Sequence, residues 1–388
     1  YMTAQFGKNH LGDSDETLPT AHGFDEFFGS LYHLNAEDEP EHPDYFKDPA
    51  MKKKYGTRGV IHSYADGRPT ESTGPLTKKR METIDEESLA AAKEFITRQH
   101  KAGQPFFCWW NATRMHFRTH MKQESLGKSG QDEYSDGMVE HDGHVGQILD
   151  KLKALGMEDN TIVMYSTDNG AETFTWPDGG TTMFRGEKNT NWEGGYRVPT
   201  FIKWPGVIKP GTVINDIGAH EDMLPTLVAA AGNPDAKEQL LKGAKIGDRS
   251  YKVHIDGYNL LPALQGEAAW PRREFIYWTD DGSVAALRYD NWKITFLKQN
   301  AHGMHVWQQP FEALRAPMVS NLRMDPFELA QDIGMGYDRW YLEHMFVIAP
   351  AASYVGNWLQ SFKEFPPRQK PGSFNLDRVM ESVTSVQQ

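Results

Sequence analysis

The sequence predicts an α/β fold, a mainly parallel sheet sandwiched by helices, with a smaller antiparallel sheet domain at the C-terminus. Three observations carry this. From about residue 85, amphipathic helical stretches alternate with short apolar runs, the pattern of a parallel sheet covered by helices. After about residue 270, three apolar runs follow one another with little room for crossover helices, which reads as antiparallel strands. The chain has 388 residues, 39% hydrophobic and 12% aromatic, enough for a sizeable core. The expected division is an α/β domain over 1–270 and a smaller α+β domain with an extended tail over 271–388.

Residues 1–80 are rich in His, Asp, Gly and Pro and read mostly as loops, with 33–49 as a long surface excursion lacking any hydrophobic period. Residues 85–103 start acidic, repeat Leu89, Ala92, Phe95 and Ile96 on one face, and end at Gly103, so a capped helix is expected there. PFFCWWN (105–111) is apolar throughout, as a strand buried on both faces would be. A second helix is expected over 134–155, with Val145, Ile148, Leu149, Leu152 and Leu155 as its buried stripe. Strands follow at 161–167 and 196–204, then a helix from Glu221 through Ala231. EFIYWT (274–279), SVAALRY (283–289) and NWKITFL (291–297) are the strands of the second domain, and 365–375 is expected to wrap as an extended arm.

Composition excludes several classes. Lys and Arg number 41 against 53 Asp and Glu, a formal net charge of −12, which argues against a nucleic-acid binder. A single Cys excludes a disulfide framework and a multi-Cys metal site. No apolar run approaches the roughly 18 residues of a membrane span, and no signal peptide is visible. The opening, YMTAQFGKNHLGD, is already strand-like, with no polar lead-in.

Ligands of open α/β sheets bind beyond the carboxyl ends of the strands. After PFFCWWN come Arg114, His116, Arg118 and His120. After TIVMYST come Asp168 and Asn169, and the loop beyond holds Arg185, Lys188 and Arg197. The opening segment adds Lys8 and His10, which are two apart and on extended backbone would face the same side. Cations, imidazoles and an oxygen-ligand pair are the kit for a tetrahedral oxyanion ester: charge neutralisation, leaving-group protonation and hard-cation binding. His141 and His144 read as ordinary helix surface, since no third ligand is evident. Cys108 reads as core, and Tyr32, His33, Trp176 and His220 as packing residues. The sequence has no nucleophile elbow, P-loop, dinucleotide fingerprint or H-E-x-x-H.

GKNHLG (7–12), TRMH (113–116), STDNG (166–170) and RGEKNTNWEGGYRVP (185–199) together resemble the type I arylsulfatases of the alkaline phosphatase superfamily. The likeness extends through HGFDEFFG (22–29), DGHVGQILDKL (142–152), LRYDNWKITF (287–296) and NLRMDPFE (321–328). It implies an alkaline phosphatase-like fold and metal-assisted hydrolysis of a small sulfate ester. It implies that Lys8 and Lys188 contact the sulfate oxygens. His10 would assist the nucleophile as base or by positioning, and His116 would be an acid for the leaving alcohol. Asp168 and Asn169 would ligate Ca²⁺ (or Mg²⁺). Family members also carry an Asp pair and a Cys-x-Pro/Ala-x-Arg motif whose Cys becomes formylglycine, the nucleophile; neither occurs here, and Cys108 lies in a different context. They are expected upstream of Tyr1, in roughly 60 residues or more, whose removal would expose an apolar sheet edge or face. A phosphodiester or phosphonate monoester hydrolase, or a non-hydrolytic binder of sulfate esters, are the alternatives. The resemblance inclines toward a periplasmic or secreted setting, without nucleic-acid or membrane partners, and leaves a homo-oligomer open.

Overall fold

A computed structural model describes residues 1–117, 119–177 and 179–367. These form two compact units, 1–161 with 175–180, and 162–174 with 181 onward. The division near 161 differs from the boundary expected at 270; the whole of the antiparallel sheet lies within the second unit.

The first unit is built on five strands: β1 (Met2–Lys8), β2 (Glu26–Ser30), β3 (Val60–Tyr64), β4 (Glu71–Ser72) and β5 (Phe106–Asn111). Their order is β4-β3-β2-β1-β5. β1 runs parallel to both β2 and β5, with Phe6 opposite Phe28 and Trp110, whereas β3 and β4 add antiparallel to the flank. The sheet is therefore mixed rather than mainly parallel. Four of its strands lie in the segment expected to be mostly loop, because each is only two to seven residues long and is surrounded by turn residues. The excursion at 33–49 contains helix α1 (Leu34–Asp38), whose Leu34 is buried with Val60, Leu76, Met81 and Ile84.

Helix α2 (Ile84–Ala102) forms as expected: Leu89, Ala92, Phe95 and Ile96 are buried, and Gly103 ends it in the left-handed region at φ +64°. Phe95 packs on Phe6 and Phe106, with ring centroids 5.8 and 6.2 Å apart, so α2 covers one face of the sheet. On the other face Phe107 and Trp109 are exposed, so β5 is not buried on both sides as expected. Helix α3 (Glu133–Ala154) also forms, capped by Asp132, which accepts from the Ser135 N–H at 2.7 Å. Its buried face differs from the expected stripe. Gly137, His141, His144 and Leu152 are buried while Leu149 is exposed, so the two histidines face inward.

In the second unit, β6 (Val163–Ser166) pairs antiparallel with β7 (Thr200–Lys203), and β8 (Ala244–Ile246) with β9 (Arg249–Tyr251). β7 is shorter than expected because 193–196 form a helical turn. The expected helix after Glu221 runs over Met223–Ala230. β10 (Glu274–Trp278), β11 (Val284–Tyr289), β12 (Trp292–Lys298) and β13 (Glu312–Asn321) form a wholly antiparallel sheet in that order. The first three match expectation; β13 escapes the sequence pattern because Pro317 and two charged residues, Glu312 and Arg315, interrupt its apolar run. Helix α4 (Ile348–Leu359) covers this sheet through Ala351 and Val355 against Leu287 and Ile294. The arm expected at 365–375 lies, from 368 onward, outside the described residues. Among the described residues no helix is long and apolar enough to cross a membrane.

Candidate functional site

In the first unit the candidate residues stand at the carboxyl ends of adjacent parallel strands. Lys8 is the last residue of β1, and Gly7 before it is required by contact. A Cβ there would stand 1.8 Å from the Asn111 carbonyl oxygen, and φ is +99°. The close approach is fastened on both sides: Asn111 Nδ2 donates to the Lys8 carbonyl at 3.1 Å, and the Asn9 N–H donates to the Ser30 carbonyl at 2.8 Å. His10 lies just beyond, exposed, with its ring edge-on to His33 at 5.1 Å. His33 in turn stacks on His116, 5.9 Å apart and 3° from parallel. The structure thus brings His10 and His116 into one row of imidazoles through His33, a residue read from sequence as packing.

His33 is oriented by the start of α1, where Nδ1 accepts from the Ala36 N–H at 3.1 Å. Nδ1 of His116 donates to the Phe117 carbonyl at 3.0 Å, since a carbonyl can only accept. That bond puts the neutral ring's proton on Nδ1 and makes Nε2 the nitrogen that exchanges protons. The loop carrying His116 is anchored by buried Asp85, whose carboxylate accepts from the Thr113 N–H at 2.8 Å, the Thr113 hydroxyl at 2.9 Å and the Arg114 N–H at 3.1 Å. Arg114 is buried and paired with Glu140 at 3.1 Å, so it is structural rather than a site cation. His120 pairs with Asp38, and Arg118 lies outside the described residues. Trp176, expected to pack, is 79% exposed.

In the second unit Asp168 and Asn169 follow β6 directly. Asp168 is exposed, and Asn169 Nδ2 donates to the Gly170 carbonyl at 2.8 Å, which turns Oδ1 away as the acceptor. The turn is held against the 192–196 segment: the Gly170 N–H donates to the Gly195 carbonyl at 3.0 Å, and a Cβ at Gly170 would stand 1.8 Å from the Gly194 oxygen. Lys188 is brought to the same turn, its N–H donating to the Ala171 carbonyl at 3.1 Å. Its ammonium lies 3.6 Å from Glu172 and 5.6 Å from the Trp307 ring centre. Burial raises the carboxyl pKa of Asp280, and Lys188 opposes that rise. His220 Nε2 lies 3.1 Å from the Ser166 hydroxyl at the end of β6.

This irregular loop is held by charge. Glu187 is buried and accepts from the Thr173 and Gly303 N–H groups, each at 2.9 Å. Glu193 is 1% exposed and meets Lys293 at 3.1 Å, Arg197 at 2.6 Å and the Tyr277 hydroxyl. Burial pushes its pKa up, but Lys293, Tyr277 and Arg197 together bring it down to about 2. Arg197 is thereby committed to Glu193, and Arg185 to Asp332 at 2.7 Å and to the Trp192 face. Neither is a site cation.

Asp168 and Asn169 fit a hard divalent cation as two oxygen ligands of the six to eight that calcium takes. Cys108 is not a thiolate nucleophile: desolvation within the sheet, aided by the Glu26 charge, pushes its thiol up to about 12.

Residues 1–233 match the sulfatase family. The chain is 29% identical to dog N-acetylgalactosamine-6-sulfatase over 84% of its own length and 61% of that protein. It is 27% identical to bovine arylsulfatase A over 94% of its length and 69% of that protein. Against the same dog protein it therefore spans about three fifths of the relative's length. Among solved structures, the PsFucS1 sulfatase from Pseudoalteromonas sp. matches 95% of this chain and 72% of its own at 26% identity, with a TM-score of 0.79.

Proposed function

From the premise that the chain belongs to the sulfatase family, we propose that its activity is hydrolysis of sulfuric esters. The observation that carries this reading is the row His10–His33–His116 beside Lys8, where β1 and β5 end side by side. Lys8 and Lys188 each supply an ammonium for a sulfuryl oxygen and stabilise the charge that grows there in the transition state. His116, protonated on Nε2, gives its proton to the leaving alcohol, while the Phe117 carbonyl keeps Nδ1 pointing inward. His10 orients or deprotonates the nucleophile, and His33 holds His10 and His116 in their relative positions. A bound Ca²⁺, held in part by Asp168 and Asn169, supplies Lewis-acid polarisation of the sulfate. Sulfated amino sugars are the first substrates to try, given the relative named N-acetylgalactosamine-6-sulfatase. Family kinship favours a periplasmic or secreted location.

The test is a pair of kcat/KM values, for an aryl sulfate and the matching aryl phosphate, measured on the product of the complete reading frame. The sulfate is expected to be favoured by about 100-fold or more. Preference for the phosphate would reassign the chain to phosphoester hydrolysis, and tight binding of both without turnover would make it a binding protein.

A further inference from the structure

The inward-facing side of α3 carries a second cluster. Glu140 and His144 are four apart on one helical face, and Glu86 reaches them from α2. One ligand atom from each of the three lies within 4.8 Å of the others. His144 is 4% exposed and the Glu140 side chain 6%. His144 Nε2 stands 3.8 Å from Glu86 Oε1, beyond hydrogen-bond range. His144 Nδ1, Glu86 Oε2 and Glu140 Oε2 are buried with no hydrogen-bond partner. Each such atom is desolvated without a compensating partner, and three from one constellation point to a ligand they share.

We propose that Glu86, Glu140 and His144 bind a first-row divalent cation, Zn²⁺ by preference, as a structural clamp between α2 and α3. Two carboxylate oxygens and an imidazole make a three-ligand set that zinc completes with water, whereas calcium avoids nitrogen. Burial keeps His144 neutral near pH 7, the state in which imidazole ligates. Its ring is further oriented edge-on to Trp110 at 6.3 Å, and His141 stacks on the same indole at 5.7 Å.

The surrounding charge permits the ion. Asp85, Glu86 and Glu140 face Arg114 and Lys122. Arg114 lies 3.7 Å from Asp85 and 3.1 Å from Glu140, while Lys122 bonds Glu86. Lys122 already stands 3.5 Å from exposed Glu124, so it can move there and release Glu86. Lys122 and Glu124 also line an open cleft of about 540 Å³. Asp85, next to Glu86, is the residue that anchors the His116 loop, so the clamp stiffens the mount of a candidate acid without touching substrate.

The experiment strips the 388-residue chain with chelator and titrates it with Zn²⁺, then with Co²⁺ as a spectroscopic probe. Expected are a rise in Tm with Zn²⁺ but not with Ca²⁺, and a tetrahedral Co²⁺ absorption band. His144→Gln should weaken Zn²⁺ binding roughly tenfold or more and abolish the band, while Asp168→Ala leaves both intact. Lys122→Ala, which removes the competing cation and keeps every ligand, should tighten binding. Zn²⁺ uptake unchanged by His144→Gln, loss of the band in Asp168→Ala, or weaker binding in Lys122→Ala would each overturn the proposal. None of these readouts depends on sulfatase activity, so the two readings fail separately.

Discussion

The two units present their candidate residues by opposite means. In the first, regular backbone does the positioning: parallel strands end side by side, and glycine lets β1 approach Asn111 so that Lys8 and His10 emerge beside the loop of His116. In the second, Lys188 sits on a loop with almost no regular structure, held by buried Glu187 and Glu193. Placement by backbone geometry is insensitive to charge. Placement by buried ions is strong only while both partners remain charged. The two units should therefore break under different changes.

Removing the ion hub has the largest expected effect. Glu193→Ala leaves Lys293, itself 0% exposed, without one of its two carboxylates, and should cost about 3–5 kcal/mol in a denaturant titration. A loss below about 1 kcal/mol would show that Glu328 alone suffices. Gly7→Ala should cost about 3 kcal/mol, because both the contact with Asn111 and the positive φ oppose a side chain. It should also lower activity more than Glu193→Gln does, since it moves Lys8 directly.

The units should also respond to pH with opposite sign. Glu193 has a folded pKa lowered to about 2, so its stabilisation is present above about 4.5 and is lost as pH falls toward 2. Glu37 on α1 is 3% exposed, and burial raises its pKa to about 7, against a hydrogen bond from Thr57 that lowers it. Its contribution is present below about 4.5 and is lost as pH rises through 7. Glu37→Gln should therefore remove about 3 kcal/mol of destabilisation at pH 8 and almost none at pH 4. Equal effects at both pH values would mean that the Glu37 pKa is the same folded and unfolded, so that burial does not raise it.

What could be read from sequence follows the same contrast. α2, α3, β5 and β10–β12 were legible because periodicity and caps act locally. The strands between β1 and residue 65 were not, because His, Asp and Gly around short runs outweigh a period of five residues. The placement of Lys8, His10 and His116 beyond strand ends was legible, whereas their roles rest on the proposed function. His33 was not, since imidazole is an unusual N-cap and its role depends on two rings distant in sequence. His144 was read as surface because its third ligand lies on another helix; the Glu140–His144 spacing of four was the available signal. Arg114, Arg185 and Arg197 were grouped with the site cations, and only the fold shows each one bound to a buried or neighbouring carboxylate.

Sulfate-ester hydrolysis is the proposed activity, with Lys8 and Lys188 as its candidate cations. Its most direct test is kcat/KM for an aryl sulfate in the complete enzyme carrying Lys8→Ala or Lys188→Ala, with Tm measured alongside. Each substitution should lower kcat/KM by about 10²–10³ with Tm nearly unchanged. A fall of less than about threefold in either variant would contradict the account.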